Sequence, residues 1–352
     1  MSDTKGVHTI EEIRSQADSW EGVFHRIDKG EDALKIPFHG TEEVIFTGCG
    51  SACNVSHAVA PIFQKLTGRT CRALHASDLM INPDLFLNER RNTTVAAYSR
   101  SGDTTETVQA LLHAKTGGAR TLAVVCFPES RMAHAADAAL ILEEAGEKSV
   151  TTTRSLTSMV LSATYLAAVC AGNEEVQDQL KTLPDLARER LELFHDVGRS
   201  VGSDQEIRKF AFLGHGSYYG LAREAQLKVK EMVLLPSDSY VSLDFQHGPM
   251  SNVDAGMLIT IMVSEKGKVY DLELARNMKA LGGKVFVLCD RSAKEFEPYT
   301  DYLLELDTGL GDGIRNVLYM PALQFMAYYR SLAEGQDPDN PRNLTYFVRL
   351  DG

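Results

Sequence analysis

Seven consecutive residues, Ser99-Arg100-Ser101-Gly102-Asp103-Thr104-Thr105, hold four hydroxyls and one guanidinium. A strand-like run, Thr94-Val-Ala-Ala-Tyr98, precedes them, and a helix-like stretch from about 104 to 115 follows. A phosphate at such a strand-to-helix turn gains hydroxyl donors, backbone N–H donors and the favourable end of a helix dipole together. Helix capping also selects Ser and Thr, although one cap needs only one hydroxyl, and Arg100 on its own fits a solvated surface charge. A second turn of related type, Gly48-Cys49-Gly50-Ser51, follows the run Glu43-Val-Ile-Phe-Thr47.

Further along, the residues suit proton transfer. In Arg223-Glu224-Ala-Gln-Leu-Lys228-Val-Lys-Glu231, helical spacing puts Glu224, Lys228 and Glu231 at i, i+4 and i+7, on one face. A carboxylate beside an ammonium on a partly buried face can move protons. The same spacing fits an exposed ion pair with a bystander acid. His247, before Gly-Pro in a loop-like segment, offers acid/base chemistry near neutral pH; a lone histidine is more often structural. The ten histidines show no HExxH-like or other ligand spacing, so no metal is expected. Neither glycine turn reads GxGxxG, so no nicotinamide, flavin or other cofactor is expected.

These groups need elements to hold them. Runs at 43–47, 94–98 and 120–126 alternate with helical stretches, which predicts a parallel sheet covered on both faces. Residues 8–28 read as a helix with Ile10, Ile13, Trp20, Val23, Phe24 and Ile27 on its apolar stripe. Residues 174–199 read as one charged amphipathic helix linking two lobes. The pattern then restarts. Phe212-Leu-Gly-His-Gly-Ser217 aligns with Phe46-Thr-Gly-Cys-Gly-Ser51, Val263-Ser-Glu-Lys-Gly267 with Tyr98-Ser-Arg-Ser-Gly102, and 281–289 with 116–126. Three matches in order mean a duplicated α/β module. The second copy, Ser264-Glu-Lys-Gly-Lys268, has lost the hydroxyl cluster, so only the first lobe is expected to hold phosphate. The expected division is a helical segment over 1–34, a first lobe over 35–175, a linker helix over 176–200, a second lobe over 201–335, and a tail over 336–352 that covers the active site.

Bulk properties narrow the partners. The chain has 352 residues, 44% of them hydrophobic, enough for two cores. A net charge of −12 argues against nucleic acid and anionic membranes as partners, since both demand clustered Lys and Arg. The opening residues are polar and unlike a secretory signal, and no apolar run reads as long enough to span a bilayer. Six dispersed cysteines without a CxxC pair fit a reducing compartment, and a cytoplasmic location is expected. Cys126 and Cys289, in apolar runs, read as core residues.

Taken together, these segments resemble the SIS (sugar isomerase) superfamily, specifically the duplicated proteins related to the isomerase half of glucosamine-fructose-6-phosphate aminotransferase. That group also includes the AgaS-type sugar isomerase/deaminases and the fructosamine-6-phosphate deglycases. The resemblance runs from about residue 35 to the C-terminus and rests on GCGS at 48–51, SRSGDT at 99–104, GEKSVTTTRS at 146–155, the EAQLKVKE helix, QHGP, and DNPRNL at 339–344. It implies two flavodoxin-like, doubly wound lobes. By this resemblance Cys49, Gly50, Ser51, Ser99, Arg100, Ser101 and Thr104 hold a sugar 6-phosphate, and Val150 makes a backbone contact to the sugar. Glu231 shuttles a proton between C1 and C2, supported by Lys228 and Glu224. His247 opens the sugar ring and comes from the neighbouring subunit, which implies a homodimer.

Departures from the family pattern shape the expected activity. Relatives that make glucosamine phosphate carry an N-terminal glutaminase domain, whereas here Ser2 follows the initiator Met and the resemblance begins almost at once. Relatives also place a Schiff-base lysine after the PRNL segment; Tyr346 follows Thr345 here, and a phenol forms no imine. Ala52 replaces a hydroxyl residue of the phosphate loop. The expectation is therefore a metal-independent aldose–ketose isomerisation of a hexosamine 6-phosphate that ends in ammonia loss. The alternatives are a ketosamine-6-phosphate deglycase, a simple ketose/aldose isomerase, or a non-catalytic sugar-phosphate sensor.

Overall fold

The computed structural model describes residues 5–87 and 92–350; Met1 to Thr4, including Ser2, lie outside the described residues. The chain divides into two compact units. One comprises residues 15–147, 152–184 and those from 345 on, and is called the first lobe below. The other comprises residues up to 14, 148–151 and 185–344, and is called the second lobe.

In the first lobe, strands β1 (Glu43–Gly48), β2 (Thr70–His75), β3 (Thr93–Ser99), β4 (Arg120–Val125) and β5 (Ala138–Ile141) form one parallel sheet. The strand order is β2-β1-β3-β4-β5. β1 and β3 are buried along their whole length, as their continuous apolar runs demand of a sheet covered on both faces. Helix α1 (Gln16–Lys35), α2 (Ser51–Thr67), α3 (Thr105–Thr116) and α4 (Arg154–Ala171) cover the sheet. The predicted helix over 8–28 is interrupted at Ser15, after a short helix Val7–Arg14. Trp20 on α1 is fully buried and donates its indole N–H to Thr157 Oγ1 on α4 at 3.0 Å.

Helix α4 corrects one sequence expectation. By length and composition it could cross a membrane, yet 83% of it is buried inside the structure. Its serines and threonines break the apolar run in sequence, but Ser162 and Thr164 bond their own helix's carbonyls and so pack in the interior. It is the core helix of the first lobe.

In the second lobe, β6 (Lys209–Gly214), β7 (Ser237–Tyr240), β8 (Met257–Met262), β9 (Lys284–Cys289) and β10 (Tyr302–Glu305) are parallel in the order β7-β6-β8-β9-β10. The order matches the first sheet strand for strand. The duplication extends to the turns. Gly50 ends β1's turn at φ 54°, ψ −124°, and Gly216 ends β6's at φ 55°, ψ −121°. Ser99 Oγ accepts Gly102 N–H at 3.0 Å, and Ser264 Oγ accepts Gly267 N–H at 3.1 Å.

The stretch read as one linking helix is three: Glu174–Lys181, Leu183–Glu189 and α5 (Leu191–Gly202). Pro184 lacks the N–H that would continue the first of them. Gly198 and Gly202 let α5 lie close against α8 (Met320–Ala333): a Cβ on Gly198 would sit 2.6 Å from the Ala322 carbonyl.

Candidate active site

The hydroxyl turns sit at the carboxyl ends of β1 and β3, adjacent strands from which the chain order runs outward in both directions. Ligands of open α/β sheets bind at that switch point. The Ser99–Thr104 turn is held by its own hydroxyls: Ser99 Oγ accepts Gly102 N–H, and Ser101 Oγ accepts Asp103 N–H at 3.1 Å. An oxygen that accepts in this way leaves its O–H free to donate elsewhere. Ser99 Oγ also lies 3.4 Å from both Ser101 Oγ and Thr104 Oγ1, so three hydroxyls cluster. Neither α2 nor α3 has a side-chain cap bond at its first turn. Gly102, at φ 70°, has no room for a side chain, because a Cβ would meet Ser130 Oγ at 2.2 Å. The arrangement offers hydroxyl and backbone donors to an anion.

Other predicted members of this cluster take different parts. Ser51 opens α2 and accepts a 2.7 Å bond from Thr152 Oγ1, bringing Thr152 to the turn. Thr152 was missed by sequence reasoning, although its threonine run was visible. Burial pushes the Cys49 thiol up to about 11, against the lowering effect of the Thr107 hydroxyl, so it stays neutral and is no nucleophile. Arg100 is not a solvated surface charge. It is buried, with Nη1 3.0 Å from Glu147 Oε2 and its guanidinium 3.8 Å above the Tyr346 ring. Glu147 also accepts N–H bonds from Thr153 and Ser155 at the start of α4. Tyr346 donates its hydroxyl to the Glu147 carbonyl at 2.9 Å, and its own carbonyl accepts from Arg100 Nη2. Arg100 thus ties the turn, the start of α4 and the chain's tail together.

Val150 lies in the second lobe, and its N–H is bonded to the Asp339 carbonyl at 2.9 Å. The Asp339 carboxylate accepts the N–H groups of His8 and Thr9, which have no partner within their own helix Val7–Arg14.

The three residues predicted to share a helical face do meet, on a backbone that the sequence did not announce. The helix α6 (Ser217–Lys228) is followed by a π turn over Val229–Val233, closed by a bond from Leu234 N–H to the Val229 carbonyl at 3.0 Å. Leu234 then adopts φ 65° and ends it. Lys228 is buried with Nζ 3.3 Å from Glu224 Oε1 and ion-paired to Glu231 Oε2. Glu224 is buried, while Glu231 keeps 20% of its side chain exposed. Burial pulls the ammonium down, but the two carboxylates outweigh it and hold Lys228 above the ordinary lysine value. A protonated lysine cannot attack a carbonyl, so it does not stand in for the absent Schiff-base lysine; it can stabilise an oxyanion. π turns of this kind occur often at functional sites.

His247 is exposed, just after the short helix Ser242–Gln246, and its backbone N–H is bonded to the Asp244 carbonyl. The second lobe's own turns face an acid: burial raises Asp271 to about 7, and its carboxylate accepts Ser264 N–H at 3.3 Å with His215 Nε2 3.6 Å away. Two cavities, of about 580 Å³ and 350 Å³, lie each within one lobe and are lined by none of the predicted site residues. Among the described residues, Cys53, His57 and His75, and separately Glu192, His195 and Asp196, are grouped closely enough to hold a metal ion.

The family model of the SIS domain matches residues 38–169 and 205–330, once on each sheet. The chain belongs to the SIS domain family. It is 28% identical over 342 residues to a glutamine–fructose-6-phosphate aminotransferase (isomerizing) of Methanothermobacter thermautotrophicus, covering 96% of this chain and 55% of that one. The chain thus spans about half the length of that curated relative. Among solved SIS structures, a tagatose-6-phosphate ketose/aldose isomerase from Escherichia coli superposes with a TM-score of 0.86 at 25% identity, covering 97% of each chain. A glucosamine-6-phosphate deaminase from Thermotoga maritima shares the fold, with a TM-score of 0.77 at 24% identity over 97% of this chain and all of that one.

Proposed function

We propose that this chain is a phosphosugar aldose–ketose isomerase acting on an amino-sugar 6-phosphate, with release of ammonia. The observation that carries the reading is the buried Glu224–Lys228–Glu231 cluster. A fully buried ammonium gains little stability over apolar packing, so its presence beside a partly open carboxylate points to chemistry. His247 opens the ring. Glu231 takes the proton from C2 and returns it at C1, and Lys228 balances the negative charge developing on the enediol or enolamine. In the amino sugar, water then adds to the resulting C2 imine, whose C–N bond breaks to release ammonia and leave the ketose. Glu224 holds Lys228 in place.

The hydroxyls of Ser51, Ser99, Ser101 and Thr104, with the N–H groups around Cys49 and Gly50, receive the phosphate. Thr152 joins them through Ser51. The Arg100 guanidinium, engaged by Glu147 and Tyr346, positions the turn. Val150 meets the sugar through its backbone. The working form is a homodimer in which His247 serves the neighbouring subunit's substrate.

Tyr346, which stands where relatives carry an imine-forming lysine, favours ammonia release or simple isomerisation over amino-sugar synthesis. A second reading, isomerisation without ammonia, draws support from the likeness to the tagatose-6-phosphate isomerase. Incubation in D2O with glucosamine-6-phosphate, fructose-6-phosphate and a fructosamine-6-phosphate separates them. Deuterium at C1 or C2 with free ammonia supports the proposal, and deuterium alone supports the simple isomerase. Amino-acid release means a deglycase. Tight binding without exchange means a sensor and overturns the enzyme reading.

A further inference from the structure

The geometry points to a transition-metal site formed by Cys53, His57 and His75 in the first lobe. Cys53 and His57 are one turn apart on α2, so both side chains leave the same face. His75 ends β2 and stands opposite Gly48 in the β1–β2 register, beside the start of the Gly48–Ser51 turn. The three candidate ligand atoms all lie within 4.8 Å of one another, and Cys53 Sγ is 3.3 Å from His75 Nδ1. In a tetrahedral zinc site, bonds of roughly 2.3 Å to sulfur and 2.0–2.1 Å to nitrogen put neighbouring S and N ligands about 3.5 Å apart. The pair is already at that spacing.

Burial is graded across the group: Cys53 is buried, His57 half-buried and His75 exposed. An ion would reach the thiol from the histidine side, where solvent has access. One thiolate and two imidazoles select a borderline or soft ion of the Zn2+ class over Mg2+ or Ca2+, which prefer oxygen. Three protein ligands leave a fourth position for water. Binding displaces the Cys53 proton, so affinity rises with pH. The bound ion would pin the first turns of α2, which the Gly48–Ser51 turn leads into, to the end of β2, the strand paired with β1. Separation in sequence hides the site, because Cys53 and His57 on α2 lack a neighbouring ligand pair and His75 arrives from the following strand, β2.

The competing group, Glu192, His195 and Asp196, is largely exposed, and its histidine nitrogen Nε2 is bonded to the Tyr329 hydroxyl. A cobalt titration separates the two. Full-length chain, stripped with chelator, is titrated with Co2+ and followed by absorption, then back-titrated with Zn2+. The expected result is one equivalent bound, with a thiolate-to-cobalt charge-transfer band and intense tetrahedral d–d bands that Zn2+ abolishes. Cys53→Ser removes the charge-transfer band. His75→Ala, at an exposed position, keeps the fold and weakens binding by at least the roughly 10–100-fold that loss of an outer-shell partner costs. Absence of a charge-transfer band at one equivalent overturns the proposal. So does binding that persists unchanged in both variants, or that is lost instead in His195→Ala. No substrate is used, so the outcome is independent of the proposed isomerase activity.

Discussion

Lys228 is the residue on which the proposed chemistry turns. Its ammonium lies between a buried carboxylate, Glu224, and a partly open one, Glu231. Removing the cation leaves Glu224 buried without its partner, which costs about 3–5 kcal/mol. Lys228→Met is therefore expected to lower the urea midpoint sharply, and Lys228→Met with Glu224→Gln to recover much of the loss. Equal midpoints for the single and double variants would show that the two side chains are not coupled. These three residues were legible in the sequence because helical spacing alone put them on one face. Arg100 was not: its type fits both a phosphate donor and a surface charge, and only folding brings Glu147 and Tyr346, from 47 and 246 positions away, onto its guanidinium.

At the scale of elements, the central strands β1, β3 and β4 and the repeated turns could be read in advance from apolar runs and matched glycines, whereas β2 and β7, polar and partly exposed, carry no such run. The π turn could not, since Val229-Lys-Glu-Met-Val233 has good helix-forming residues and nothing in its composition requires one extra residue per turn. The linker's first break falls at Pro184 within an otherwise amphipathic pattern, while the second, at Arg190, has no such marker. The buried acid Asp271, on helix α7 (Lys268–Ala280), was equally hidden. Burial, with a contribution from Asp312, holds its carboxyl up to about 7 in the folded chain. Between the ordinary carboxylate value of ~4 and that value, the unfolded chain has lost a proton that the folded chain keeps. Stability therefore falls as pH rises through this window and levels off above it. Asp271→Asn is expected to gain stability over the native chain progressively across the same window, by on the order of a few kcal/mol at the plateau. Chemical denaturation from pH 4 to 8 measures this, and a gain independent of pH would contradict the assignment.

At the scale of the whole molecule, the proposal requires two chains, because His247 is assigned to a neighbour's substrate. Glu231→Gln and His247→Ala homodimers should each be inactive. When co-expressed, hybrids with one chain of each kind should regain one intact site of two. Activity that stays absent in verified hybrids would place both groups in one chain's service. The most direct test is solvent exchange by Glu231→Gln. This swap keeps size and hydrogen bonding but removes the base. With the amino-sugar 6-phosphate in D2O, the account predicts loss of C1 and C2 deuterium incorporation while the dissociation constant for the sugar phosphate stays within about threefold, a change under about 1 kcal/mol. Exchange that continues at the native rate in Glu231→Gln would contradict it.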